Sequence, residues 1–221
     1  MKIIGHRGAA GYTLENTLAS FQKAIKIGCD GTELDVHLTR DNIPVVIHDS
    51  TVDRVTSGSG IVSQMSLEEI KKLDCKDKQK IPTLQEVIDL CREKINLKIE
   101  LKADVAVRQV AEALKQNNIV PGTSVLSFDK GTLKEIRKIL PDLTLCYLFE
   151  EYSDDVWKLA EDLSLEFLGP KYSTVDQEVI DKSHSLGIKI YTWTVNEKKT
   201  GKKLETMGVD ELVTDYPKVF I

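Results

Sequence analysis

The chain has 221 residues, room for one large hydrophobic core and too few for two comfortable domains. Hydrophobic residues make up 41% and charged residues 29%, the balance of a soluble globular protein rather than a disordered or membrane-embedded one. Against 30 Lys and Arg stand 35 Asp and Glu, a formal charge of −5 that argues against a nucleic-acid binder working by phosphate neutralisation.

From its start the chain alternates β-branched runs with amphipathic helical segments. Lys2-Ile3-Ile4-Gly5 reads as the first strand. Met1 to His6 contain neither an apolar leader core nor a cleavage site, and no apolar run approaches the roughly 20 residues that cross a bilayer. The four cysteines, Cys29, Cys75, Cys91 and Cys146, are scattered without a C-x-x-C pair. Together these features predict a cytoplasmic protein with reduced, packed thiols. Leu14, Leu18, Phe21 and Ile25 share one helical face, and Gly28 stops that helix. Thr32 to Val36 is the second strand.

The rhythm then breaks. Residues 37–82 are too many for an ordinary βα loop. Arg40 to Ile43 predict a turn and Pro44 to His48 a returning strand, so the stretch opens as a hairpin. A four-residue turn would set Thr39 opposite Pro44, His37 opposite Val46 and Asp35 opposite His48. Thr56 to Gly60 read as a flexible tip, and Ser66-x-x-Glu69 as a capping box on a short helix. The expectation is a small lid over the mouth of the main fold, within one domain spanning residues 1–221.

Beyond it, Thr83-x-x-Glu86 predicts a capped helix carrying Leu84, Val87, Ile88 and Cys91. Six further strands follow at 97–102, 124–128, 143–149, 166–170, 188–195 and 211–214. Asp129 and Ser153 are expected N-caps, and Thr174-x-x-Gln177 a capping box for a helix ended by Gly187. The polar segment from Glu197 to Met207, with Gly201 inside it, is the weakest helix. Only residues 215–221 remain for a final one, so that helix is truncated.

Strict alternation allows an open doubly wound sheet or a closed barrel. The chain carries neither G-x-G-x-x-G nor a P-loop, since Gly5, Gly8 and Gly11 are wrongly spaced. Eight strands in a chain this small fit an α/β (β/α)8 TIM barrel with a small insertion after strand two. In such a barrel chemistry sits at the C-terminal ends of the strands. Strand one ends in His6-Arg7, strand two carries Glu33 and Asp35 on one face, and strand three carries Lys98, Glu100 and Lys102 on one face. In an antiparallel sheet that alternation would mean a wet face. In a barrel the outer face is covered by helices, so the acids point inward. Two unit charges ~4 Å apart repel by about 4 kcal/mol at an effective dielectric near 20. A hard cation such as Mg²⁺ or Ca²⁺, bound by Glu33, Asp35 and Glu100, resolves the repulsion, unless Lys98 or Lys102 does so. His6 and His48 beside that site suit phosphodiester cleavage, one as base and one as acid, with Arg7 and Lys102 holding phosphate oxygens. His184 reads as structural, and His37 is left open between the two roles.

The motifs GHRG at 5–8, ENT at 15–17, ELDVHLT-RD at 33–41, VVIHD at 45–49, PTLQEV at 82–87, IELK at 99–102 and VTDYP at 213–217 resemble those of the glycerophosphodiester phosphodiesterases. The resemblance spans the chain. It implies a (β/α)8 barrel that uses a divalent cation to hydrolyse glycerophosphodiesters to an alcohol and glycerol 3-phosphate. It assigns His6 and His48 to acid/base work, Glu33, Asp35 and Glu100 to the metal, and Arg7 and Lys102 to phosphate. Trp193 then matches the aromatic that flanks the glycerol. The chain departs from the family pattern where Asp41-Asn42 replaces Asp-Gly, which costs little because Asn tolerates a left-handed backbone. The truncated last helix leaves a monomer or a homodimer open.

Two other readings compete. A phospholipase-type enzyme acting on membrane lipid would want an apolar or basic contact surface, whereas the insertion mixes its lysines with acids and lacks aromatics. A barrel that binds phosphodiesters without turnover would have lost a histidine or an acid, and none is lost. The partner expected is therefore a small-molecule glycerophosphodiester, with no nucleic acid and no stable membrane association.

Overall fold

A computed structural model describes residues 1–102 and 106–221. Eight parallel strands close into a barrel: β1 (Lys2–Gly5), β2 (Gly31–Leu38), β4 (Asn96–Leu101), β5 (Thr123–Ser127), β6 (Thr144–Phe149), β7 (Phe167–Pro170), β8 (Lys189–Thr192) and β9 (Glu211–Thr214). Each pairs with the next in that order, and β1 closes the ring on both β9 and β2. Between them run α1 (Leu18–Ile27), α3 (Leu84–Cys91), α4 (Val107–Gln116), α5 (Lys130–Ile139), α6 (Asp155–Leu163), α7 (Gln177–Ser185) and α8 (Lys198–Met207). Among the described residues no helix is long and apolar enough to cross a membrane.

The core has two layers because strand side chains alternate. Leu34, Val36, Leu97, Ile99 and Leu101 point outward and pack with Phe21, Val87 and Ile88 of the helices. Ile4, Leu126, Cys146, Leu148, Phe167, Tyr191 and Val213 fill the barrel itself. The inward acids of β2 and β4 sit above that plug. All four cysteines are free and buried, and burial pushes the Cys29 and Cys91 thiols up to about 12.

The insertion adds β3 (Pro44–Val46), antiparallel to the outer end of β2, and α2 (Leu67–Lys72). It has a hydrophobic cluster of its own, built on Val45, Ile47, Val52, Val62, Ile70, Cys75 and Ile81. Leu14 packs into this cluster rather than extending α1, which begins after the N-cap Thr17. The hairpin register differs from expectation by one residue: His37 faces Val45 and Leu38 faces Pro44. The connection is one residue longer because Thr39 accepts from Ile43 N and donates to Asp41, while Asn42 takes the left-handed turn at φ 60°. The slip places Ile47 opposite Asp35, its N–H donating to that carbonyl. His48 nevertheless reaches the mouth, because it lies past the end of β3 where strand alternation no longer dictates its side.

Two caps also move. Asp176, not Thr174, accepts from Val179 N at the start of α7, and Thr174 instead closes a turn onto the Lys171 carbonyl. Helix α6 begins after Asp154 with no side-chain cap, so Ser153 does not serve. The truncated end is a single 3-10 turn at Pro217–Val219, followed by Phe220. Gly201 explains itself there: a Cβ on it would stand 2.2 Å from the Phe220 ring.

Candidate active site

The turn after β1 is tight enough to require glycine at both Gly5 and Gly8. A Cβ on Gly5 would lie 2.0 Å from the Gly8 carbonyl oxygen, and Gly8 has φ +92° and abuts Ser20. Ser20 Oγ donates to the Arg7 carbonyl at 2.8 Å and accepts from Ala9 N at 2.8 Å, so α1 pins the turn. His6 and Arg7 are thereby fixed over the barrel mouth, with Arg7 N donating to Glu33 Oε2 at 3.0 Å.

Glu33 and Asp35 point inward from β2, and register sets Asp35 beside Glu100 of β4. Each contributes an oxygen to a buried group whose atoms lie within 4.8 Å of one another. Lys102 Nζ is 2.8 Å from Asp35 Oδ1 and 2.6 Å from Glu100 Oε1, and Arg7 Nε is 3.2 Å from Asp35 Oδ2. Asn16 donates to Asp35 Oδ2 at 2.8 Å. Of the two neutralising lysines considered from sequence, Lys102 therefore acts on Asp35 and Glu100. Lys98 turns instead to Glu211, 2.6 Å away.

The compensation is incomplete. Three carboxylates face two cations, and the buried Glu33 Oε1 has no hydrogen-bond partner among the described residues. Burial, then Asp35 and Glu100, hold the Glu33 carboxyl well above the usual carboxylate range. Burial and Asp35 likewise push Glu100 up. Burial pushes Asp35 the same way, but Lys102 and Arg7 outweigh it and hold Asp35 low. An oxygen-only donor set with an orphaned ligand atom and surplus negative charge fits a hard divalent cation.

Each histidine of the mouth is backed by a carboxylate. His6 Nδ1 is 2.7 Å from Asp215 Oδ1, and Asn196 donates to the other Asp215 oxygen at 2.7 Å. His48 Nδ1 is 2.7 Å from Asp49 Oδ1, and Arg54 grips both Asp49 oxygens. A carboxylate partner assigns the proton to Nδ1, which leaves Nε2 of each ring available for proton transfer. His6 Nε2 is 3.9 Å from Glu33 Oε2. The other two histidines lie elsewhere. His37 Nε2 bonds the His48 carbonyl at 3.1 Å and so steadies the end of the hairpin, and His184 pairs with Asp210 on the surface.

His6, Arg7, Glu33, His48, Glu100 and Lys102 line one side of a cavity of about 270 Å³. Leu126, Phe128, Leu148, Tyr191, Trp193 and Val213 line the other. Trp193 is held by Nε1 donating to the Gly169 carbonyl at 2.9 Å and by edge contact with Phe128, the ring centroids 5.3 Å apart. All eight residues singled out from the sequence thus meet at one mouth, Asp35 just behind the lining. Glu15, Asn16, Asp49 and Asp215 lie in the ENT, VVIHD and VTDYP motifs but were given no role, and the supporting Asn196 and the cavity residues Phe128 and Tyr191 were missed. A signal existed for Asp49, adjacent to His48, and for Asp215, just past the strand that closes on β1. None existed for Asn196.

The chain matches the model of the glycerophosphoryl diester phosphodiesterase family over residues 6–219. It belongs to that family. A glycerophosphodiester phosphodiesterase from Caldanaerobacter subterraneus subsp. tengcongensis is 36% identical, over 99% of this chain and 96% of that one. Among solved structures, a phosphodiesterase of Oleispira antarctica in complex with the product sn-glycerol-3-phosphate superposes with a TM-score of 0.94. It is 29% identical and the match covers 99% of this chain and 94% of that one. A glycerophosphodiester phosphodiesterase from Thermotoga maritima, 30% identical, gives a TM-score of 0.89 over 100% of this chain and 96% of that one. This phosphodiesterase therefore shares its TIM-barrel architecture with its relatives over nearly their whole length.

Proposed function

We propose that this phosphodiesterase hydrolyses glycerophosphodiesters to an alcohol and glycerol 3-phosphate, with a divalent cation at Glu33, Asp35 and Glu100. The observation that carries the reading is the undercompensated acid cluster flanked by two carboxylate-backed histidines at one cavity. Membership of the family and the product bound to the Oleispira antarctica relative support the substrate class. When bound, Mg²⁺ or Ca²⁺ supplies positive charge for the phosphate oxygens. Arg7 and Lys102 hold the remaining phosphate charge, their side chains fixed by Glu15, Asp35 and Glu100. Of His6 and His48, one removes the proton from the nucleophile through Nε2 and the other protonates the leaving oxygen. The nucleophile is either water or the glycerol 2-hydroxyl, the latter passing through a cyclic phosphate. Trp193 and Phe128 form an apolar wall against which the glycerol carbons rest. The chain works as one domain in the cytoplasm, with residues 37–82 as a lid and no stable hold on a membrane.

The decisive experiment is turnover of a set of glycerophosphodiesters after chelation, with each divalent cation added back. Activity abolished by EDTA and restored by Mg²⁺ or Ca²⁺ is the expected result. Full turnover by a preparation shown to be metal-free would remove the cation from the reading. Accumulation of a cyclic glycerol phosphate would single out the internal nucleophile.

A further inference from the structure

Arg54 belongs to the insertion, yet it joins two parts of the mouth that the sequence keeps far apart. Val52 and Val55 on either side of it sit in the apolar cluster of the insertion, which leaves Arg54 directed outward. Its Nε donates to Asp49 Oδ2 at 2.6 Å and its Nη2 to Asp49 Oδ1 at 3.1 Å. Its Nη1 and Nη2 donate to Glu15 Oε2 and Oε1 at 3.0 and 2.8 Å. Glu15 in turn accepts from Arg7 Nη1 at 2.9 Å, and Asp49 faces His48 Nδ1 at 2.7 Å. One continuous line thus runs His48–Asp49–Arg54–Glu15–Arg7.

We propose that Arg54 is a positioning residue that sets the ring of His48 and the guanidinium of Arg7 relative to each other. The claim rests on the proposed function for the roles of His48 and Arg7. The geometry demands a guanidinium: two carboxylates each take two N–H bonds from one planar fork, and an ammonium cannot span both. Stability alone does not account for so ordered an arrangement. The Arg54 side chain is 47% exposed, so solvent screens these pairs and limits what their bidentate network adds to folding. Orientation is different, because small misplacement of a proton-transfer group lowers the rate steeply. The apolar half of the same joint lies next door, where Leu14 inserts into the cluster that carries Arg54. Leu14 brings the insertion to the barrel; Arg54 sets its angle.

The test compares wild type with Arg54→Ala, Arg54→Lys and Arg40→Ala, all in full-length protein saturated with the activating cation. Arg40 is the control, since it pairs with Glu69 on the same insertion but away from the cavity. Arg54→Ala is expected to lower kcat on glycerophosphocholine by ~10–100-fold with KM within a factor of about three. Arg54→Lys should recover little of this, and added guanidinium ion should restore much of it to the alanine variant. Arg40→Ala should match wild type. Nitrogen NMR of the His48 ring supplies a readout independent of turnover: the proton sits on Nδ1 in wild type and spreads to Nε2 in Arg54→Ala. Wild-type kcat in Arg54→Ala overturns the proposal. So does a loss that guanidinium does not rescue and that leaves the His48 ring spectrum unchanged. A wild-type protein without glycerophosphodiester turnover would sink the proposed function instead, and the ring spectrum would still decide whether Arg54 positions His48.

Discussion

Lys98 and Glu211 lie inside the barrel below Glu33, Asp35 and Glu100, and the two charged layers are balanced differently. In the lower layer one cation meets one anion at 2.6 Å, with Ser124 Oγ 3.2 Å from the ammonium and the Phe167 ring beneath it at 4.7 Å. Both side chains are buried and their charges are matched one to one, although Glu211 Oε2 meets Lys98 as an ion pair without a well-aligned hydrogen bond. Among the described residues, three carboxylates of the upper layer share two cations and Glu33 Oε1 has no hydrogen-bond partner. The same barrel neutralises inward charge where the charge only has to be housed. Where it does not, the unbalanced group opens onto the cavity. A buried cluster left short of one compensating charge is thus a sign of a site rather than of poor packing.

The largest effects belong to the groups that face the upper layer. His6→Ala and His48→Ala should each lower kcat/KM by ~10²–10⁴-fold while the melting temperature barely moves. With a nitrophenyl ester, whose leaving group needs no proton, the acid variant should recover much of its rate and the base variant should not. Wild-type kcat/KM should be bell-shaped in pH, as a reaction that needs one base and one acid requires. Near-normal turnover of glycerophosphocholine by both variants would end the paired-histidine mechanism.

The lower layer should show the converse. Lys98→Ala strands Glu211 in the barrel and should cost ~3–5 kcal/mol of stability, measured by urea unfolding, without weakening cation binding. Combining Lys98→Met with Glu211→Leu should return most of that loss, because an apolar pair replaces a matched ion pair. A Lys98→Ala protein that keeps its stability but loses its cation would show that the two layers are one.

The barrel was legible in eight strands alternating with helices and in the missing nucleotide-binding turn, and the upper layer in the period-two alternation on β2 and β4. Once helices cover the outside, Glu33, Asp35 and Glu100 have nowhere to point but in. His6, His48, Arg7 and Lys102 were read from their places at the strand ends and the hairpin, and Trp193 alone came from the resemblance. Lys98 was not sorted from Lys102 because its partner, Glu211, lies on a strand more than a hundred residues away. The hairpin register failed for a local reason, since the side-chain bonds of Thr39 and Asp41 lengthen the connection by one residue. Arg54 was invisible because its role depends on how the insertion folds back over Glu15.

The apolar wall across the cavity from the upper layer should give a smaller and different signature. Trp193→Ala should raise KM for glycerophosphodiesters by about tenfold and leave kcat within about threefold, the pattern of lost uniform binding. Varied leaving alcohols should be accepted while the glycerol is demanded. Equal kcat/KM for glycerophosphocholine and a simple dialkyl phosphate would contradict this placement of the glycerol.

The smallest effect has the sign least expected of a mutation in a buried cluster. Glu33→Gln keeps a side-chain oxygen to accept from Arg7 N and removes one uncompensated charge. Without cation it should therefore fold more stably than wild type, raising the melting temperature by about 2–4 °C for each kcal/mol gained. The pH dependence follows from the direction of the shift. Burial, Asp35 and Glu100 raise the folded Glu33 carboxyl well above its unfolded value of roughly 4.3. Between those two values the folded state binds more protons, so this group makes wild type lose stability as pH rises through that window. Glu33→Gln lacks that loss, and its advantage in EDTA should grow from pH 5 to pH 8. Saturating Mg²⁺ or Ca²⁺ should then reverse the order, since ligand at about 100 times its Kd adds ~2.7 kcal/mol to the form that binds it. Thermal melts of both proteins at the two pH values, with EDTA and with cation, read every sign. A variant less stable than wild type in EDTA would mean that Glu33 is already compensated, and the contrast between the two layers would disappear.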